Sequence, residues 1–72
     1  MRGIAIPFAD INMMDLDYLD LHCKMAVIDG DKREVIVIEP DDELIKALKR
    51  LNIKYRNLSE EETYNYVRDS FF

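Results

Sequence analysis

The chain has 72 residues, 15 of them Asp or Glu and 10 Lys or Arg, for a formal net charge of −5. At 49% hydrophobic residues it lies well outside the composition of disordered chains, so a single small folded domain over residues 1–72 is expected. The acidic balance argues against generic binding to nucleic acid or to anionic membranes, and favours solubility or a partner with a basic surface.

Residues 4–8 read as a short strand, in which Pro7 suits an edge better than a central position. The apolar run around it is broken by Pro7 and ended by Asp10, too short for a signal-peptide core or a bilayer span, so no membrane role is expected. Between Asp10 and Asp17, Ile11, Met14 and Tyr18 have helical spacing. Three aspartates lower the helix propensity there, and the segment reads as a loop with one helical turn.

The chain is organised around residues 18–39, which read as one β-hairpin. Leu19, Leu21, Cys23, Met25 and Val27 alternate with Asp20, His22 and Lys24, the period of two of a half-buried strand. The turn is either Gly30-Asp31 or Asp29 to Lys32. In both cases Ile28 faces Arg33, Met25 faces Ile36 and Cys23 faces Ile38. The returning run Val35-Ile36-Val37-Ile38 is β-branched throughout, which favours a strand over a helix. One face of the hairpin is uniformly apolar and is expected to form the core. The other, with Tyr18, Ala26, Ile28, Val35 and Val37, is too apolar to be bare, and either the amino-terminal segment or a second copy of the chain should cover it.

Pro40 ends the hairpin and Asp41 caps a helix over 41–51, with Asp42 and Glu43 favourable in its first turn. Leu44, Ile45, Ala47, Leu48 and Leu51 make its apolar stripe. Asn52 is a left-handed terminator, after which Ile53 can pack back on Leu48. Residues 53–58 alternate apolar and polar as a third strand. Ser59-Glu60-Glu61-Glu62 is a capping box that opens a second helix over 59–71, with Tyr64, Val67 and Phe71 on its buried side and Tyr66 pointing almost the opposite way. The fold class is α+β, a small antiparallel sheet centred on the hairpin with both helices on its core face.

Motif chemistry is sparse. His22 and Cys23 are neighbours, and on a strand they would point to opposite faces and could not share a proton. Cys23 reads as a small buried hydrophobe, and a lone cysteine also fits a reducing cytoplasm, where Asn57-Leu58-Ser59 is only a chance match to a glycosylation site. Calcium loops begun at Asp15 or Asp29 lack the required ligands and glycine, and one cysteine with one histidine cannot hold a soft metal. With Gly3 and Gly30 the only glycines, there is no phosphate-binding loop. No metal or cofactor is expected, and the chain reads as a non-enzyme.

Two binding readings remain. In the first, the protein is an adaptor, inhibitor or regulator that engages another protein through Asp15, Asp17 and Asp20, the aromatics Tyr18 and Tyr66, and the second hairpin face at Val35 and Val37, with homodimerisation expected. In the alternative, Lys46, Lys49, Arg50, Lys54 and Arg56, with Tyr55 among them, contact nucleic-acid phosphates. The first is favoured, because lysines and arginines opposite a leucine stripe are the ordinary face of a solvated helix.

Overall fold

The structure, a computed structural model, describes residues 1–11 and 16–70. Among them the elements run β1 (Gly3–Pro7), α1 (Phe8–Ile11), α2 (Leu16–Leu21), β2 (Met25–Asp29), β3 (Glu34–Ile38), α3 (Asp42–Arg50), β4 (Arg56–Asn57) and α4 (Glu60–Ser70). The strands form one sheet in the order β2-β3-β1-β4, and every neighbouring pair is antiparallel. The α+β class expected from the sequence is therefore the observed one.

Two strands antiparallel to a common neighbour are parallel to each other, so β1 is parallel to β2 across β3, and β3 is parallel to β4 across β1. Each parallel pair needs a crossover. Residues 8–24 supply the first and α3 the second, which makes this the split β-α-β topology of ferredoxin-like folds with α4 added. The shared topology carries no function by itself.

The hairpin is shorter than expected. Residues 16–21 are helical, and β2 begins only at Met25. The alternation from Leu19 to Cys23 misleads because Leu16 to Leu21 contains no β-branched residue and its leucines are good helix formers. A strand from Leu19 onward would also leave too little chain for the first crossover. In the helix, Leu19 turns into the core and Leu21 stays 80% exposed, where a strand would have placed both on one face.

The hairpin register also differs. Ile28 lies opposite Val35 and Asp29 opposite Glu34, with Met25 opposite Ile38. Asp29 is the last paired residue because its Oδ1 accepts the N–H groups of Asp31 and Lys32, both at 3.1 Å, and Arg33 closes the loop with φ 56°. The shift is two residues, so the membership of each face is preserved. Strand β1 is central instead of marginal. Phe8 N–H bonds Arg33 O at 3.0 Å, so the missing N–H of Pro7 falls on the opposite side, toward β4, which reaches only Ile4 and Ala5.

Both faces of the sheet are covered by the chain itself. On one, Ile4, Ile6, Val35 and Val37 pack with Leu19 of α2 and with Leu44, Ile45 and Leu48 of α3, while Phe8 and Ile11 of α1 close the side. On the other, Ala5, Ile36 and Ile38 pack with Tyr66 and Val67 of α4. The two long helices thus lie on opposite faces, contrary to the expectation that both share one. The crossover through α3 must return the chain beside β1, whereas α4 follows the last strand and is free to fold back over the vacant side.

The helix boundaries agree closely with the sequence. Asp41 Oδ1 accepts Leu44 N–H at 2.8 Å. At the other end Asn52, with φ 58°, donates to Lys49 O and Ile53 to Leu48 O, the paired bonds of a Schellman motif. Ser59 and Glu62 form the reciprocal capping box. The third strand, expected over 53–58, is reduced to Arg56–Asn57.

Helix α4 approaches β1 most closely at Thr63. Thr63 is fully buried and lies over Gly3, where an added Cβ would stand 2.6 Å from Thr63 Oγ1, 3.0 Å from its Cγ2 and 3.1 Å from Leu58 Cδ1. Gly3 is required by this close approach. Gly3→Ala should destabilise the fold by about 1–3 kcal/mol in urea unfolding. In a Thr63→Ala background the same change should cost markedly less. Equal costs in both backgrounds would show that α4 does not rest on β1.

Candidate functional site

Helix α2 ends where His22 N–H bonds Leu19 O at 3.1 Å, and its exit is tied to the start of α3 twice. Asp41 N–H donates to His22 O at 2.9 Å, and His22 Nδ1 meets Asp41 Oδ2 at 2.7 Å. An ionised carboxylate only accepts, so the imidazole carries a proton on Nδ1. The Tyr18 ring, one helical turn earlier, lies 4.3 Å from the His22 ring. Asp41 therefore both caps α3 and orients His22. The Leu44 N–H holds the Asp41 carboxyl below its usual range, against partial desolvation, and the His22 bond adds to the effect.

This corner offers recognition more readily than covalent chemistry. Burial pushes the Cys23 thiol up, and the charge of Asp20 raises it further, so it stays protonated and weakly nucleophilic near neutral pH. Around it, α2 turns Leu16, 55% exposed, and Leu21, 80% exposed, toward solvent among Asp17 and Asp20. The result is a mixed acidic and apolar surface. The sequence gives Asp41 as a helix cap and His22 as a polar strand residue; their pairing was hidden because it depends on residues 16–21 being helical.

The other residues singled out in the sequence are dispersed. Val35 and Val37 are buried beneath α1, α2 and α3, so they form no contact surface, and the amino-terminal segment covers the face with α3. Tyr66 is not directed outward. It packs on the second sheet face and its hydroxyl donates to Asp29 Oδ2 at 2.5 Å, which pushes the phenol up to about 12. Tyr18 is half-buried against the core, Asp17 and Asp20 are on α2, and Asp15 lies outside the described residues.

Of the basic cluster, Lys46, Lys49 and Arg50 are exposed on α3 and Lys54 is exposed after it. Arg56 is separated from them in purpose. Its guanidinium bridges Glu34 at 3.0 Å and Glu62 at 3.2 Å, which ties β4 to β3 and α4.

Two of the cavities among the described residues adjoin α4. One, of about 220 Å³, is lined by Lys32, Glu62, Asn65, Tyr66 and Asp69, but Glu62 and Tyr66 are already engaged by Arg56 and Asp29. The other, of about 190 Å³, is lined by Met1, Lys24, Met25, Ile38 and Val67. Among the described residues no group of three His, Cys, Asp or Glu side chains could hold a metal ion. No helix there is long and apolar enough to cross a membrane.

The chain matches no protein-family model, no curated protein and no solved structure.

Two outcomes follow from these bonds. In an alkaline ultraviolet titration Tyr66 should deprotonate near pH 12, and Asp29→Asn should bring it back toward about 10. Because the folded value is raised, the stability tied to the neutral phenol is complete below about pH 10 and lost as pH rises through 12. For Asp41, thermal midpoints should fall in the order native, Asp41→Asn, Asp41→Ala, since Asn keeps a capping oxygen but loses the charge facing His22. Its folded value is depressed, so the advantage of the native residue is complete above about pH 3.9 and disappears as pH drops through the folded value.

Proposed function

We propose that the protein is a small, acidic, non-enzymatic protein-binding module, an adaptor, inhibitor or regulator, whose contact surface is α2 and the His22–Asp41 corner. One observation carries this reading: α2 leaves two leucines in water beside acidic side chains, although its third leucine, Leu19, is fully buried. Exposed aliphatic groups within a charged surround are what a partner with a basic rim and an apolar centre would cover. Tyr18, held against His22, gives that surface an ordered aromatic floor.

The reading places the protein in the cytoplasm, on the strength of its lone thiol, and includes a homodimer. The face bearing Val35 and Val37 offers no dimer surface, since α1, α2 and α3 cover it; the open side of β2 does.

The test compares three immobilised forms: the native chain, Leu16→Asp/Leu21→Asp, and Lys46→Ala/Lys49→Ala/Arg50→Ala. A protein retained by the native chain and by the lysine and arginine variant, but lost with the leucine variant, is the expected result. Retention of the native chain on a nucleic-acid column, falling steeply with salt and abolished by the lysine and arginine variant, would replace this reading with the nucleic-acid one.

A further inference from the structure

Strand β2 is an edge, paired only with β3. Its open side can be derived residue by residue. Phe8 N–H bonds Arg33 O, so Arg33, Val35 and Val37 direct their backbone groups to β1, and Glu34, Ile36 and Ile38 direct theirs to β2. Their partners Asp29, Val27 and Met25 therefore face β3. The N–H and C=O groups of Ala26 and Ile28 face outward, and neither residue forms a backbone bond elsewhere among the described residues.

Natural sheets blunt such an edge with proline, a bulge or an inward-pointing charge. Here Lys24 N–H also bonds Ile38 O, at 2.9 Å, so the chain is irregular up to Met25, but from Met25 to Ile28 it carries neither proline nor charge. Instead, Ile28 is 69% exposed. The strand also has a charge at each end: Lys24 precedes it, and Asp29 and Asp31 end it. Neither Lys24 nor Asp31 has an ion-pair partner among the described residues.

From this edge we infer that two copies of the chain pair antiparallel along β2 about a two-fold axis through Val27, joining their sheets into one of eight strands. This rests on the homodimer included in the proposed function and supplies its surface. The register follows from the outward groups. With Val27 opposite Val27 of the partner subunit, Ala26 of each copy lies opposite Ile28 of the other, and all the unpaired backbone groups of both residues are satisfied. Residues paired this way have the same parity, so α1, α2 and α3 of both copies stay on one side of the joined sheet. Each Ile28 comes to rest beside Ala26 of the partner subunit, next to that copy's α2. Each Lys24 meets the acidic turn at Asp29 to Asp31 of the other chain, an attraction that parallel pairing would forfeit. The contact uses the same patch on both copies and closes at two. The opposite edge does not compete, because β4 pairs over only two residues and carries the charged Arg56.

Sedimentation equilibrium over micromolar to millimolar concentration tests this. The native chain should associate to a dimer, and Ile28→Pro should raise the dissociation constant by about tenfold or more, since it deletes an N–H that the monomer does not use. Circular dichroism shows whether each variant remains folded, and Ile28→Lys provides the same reading at an exposed site if the proline is not accepted. Lys24→Glu should weaken the dimer, and adding Asp31→Lys should restore it. A native chain monomeric throughout would overturn both the homodimer and this edge. A native dimer undisturbed in both Ile28 variants would overturn the edge alone and leave the homodimer standing.

Discussion

The structure depends on the insertion of β1 between β3 and β4. This strand is paired on both sides and buried on both faces, with Ile4 and Ile6 on one and Ala5 on the other. In a chain of this size a strand used in all four directions replaces a larger core. It also forces the connectivity, since each strand beside β1 has a parallel mate that can be reached only by crossing a face of the sheet.

Two-sided use of the sheet determines which surfaces remain available. The first crossover, α2 included, and α3 seal the face bearing Val35 and Val37, and α4 seals the face bearing Ile36 and Ile38. The large apolar side chains left exposed lie on the periphery: Leu16 and Leu21 on α2, Ile28 on β2, Met1 ahead of β1, and Tyr64 on α4, which the sequence had placed on the buried side of that helix. Helix α4 contributes one fully buried residue, Thr63. Its polar contacts include the Ser59–Glu62 box, the Arg56 bridge and the Tyr66–Asp29 bond. Exposed ion pairs contribute little individually, so its position owes most to the Gly3–Thr63 contact and to the packing of Tyr66 and Val67.

The polar bonds also join distant parts of the chain in a consistent way. Asp29 ends β2, organises the hairpin loop through Asp31 and Lys32, and receives the Tyr66 hydroxyl from α4. Asp41 starts α3 and holds the exit of α2 through His22. In both cases one carboxylate satisfies local backbone donors and a remote side chain at once, which couples secondary structure to packing.

The local signals were legible in the sequence because each rests on a few neighbouring residues. Asp41, the Asn52–Ile53 terminus, the Ser59–Glu62 box and the β-branched run Val35 to Ile38 specify their own backbone conformations, and the α+β class follows from their order. The division of residues 25–28 and 35–38 between two faces was legible too, since strand parity survives a change of register, but Leu19 and Cys23, expected beside Ile36 and Ile38, pack with Val35 and Val37 instead. The acids and the lone thiol of the candidate site could be seen, but not their arrangement. Whether Leu19 and Leu21 alternate on a strand or diverge on a helix depends on the length of crossover that β1 requires, a property of the whole sheet. The burial of Val35 and Val37, the pairing of His22 with Asp41, and the turning of Tyr66 inward to Asp29 were decided by tertiary structure alone. Each joins residues far apart in the chain, and no local pattern records which face of a sheet a distant helix will choose.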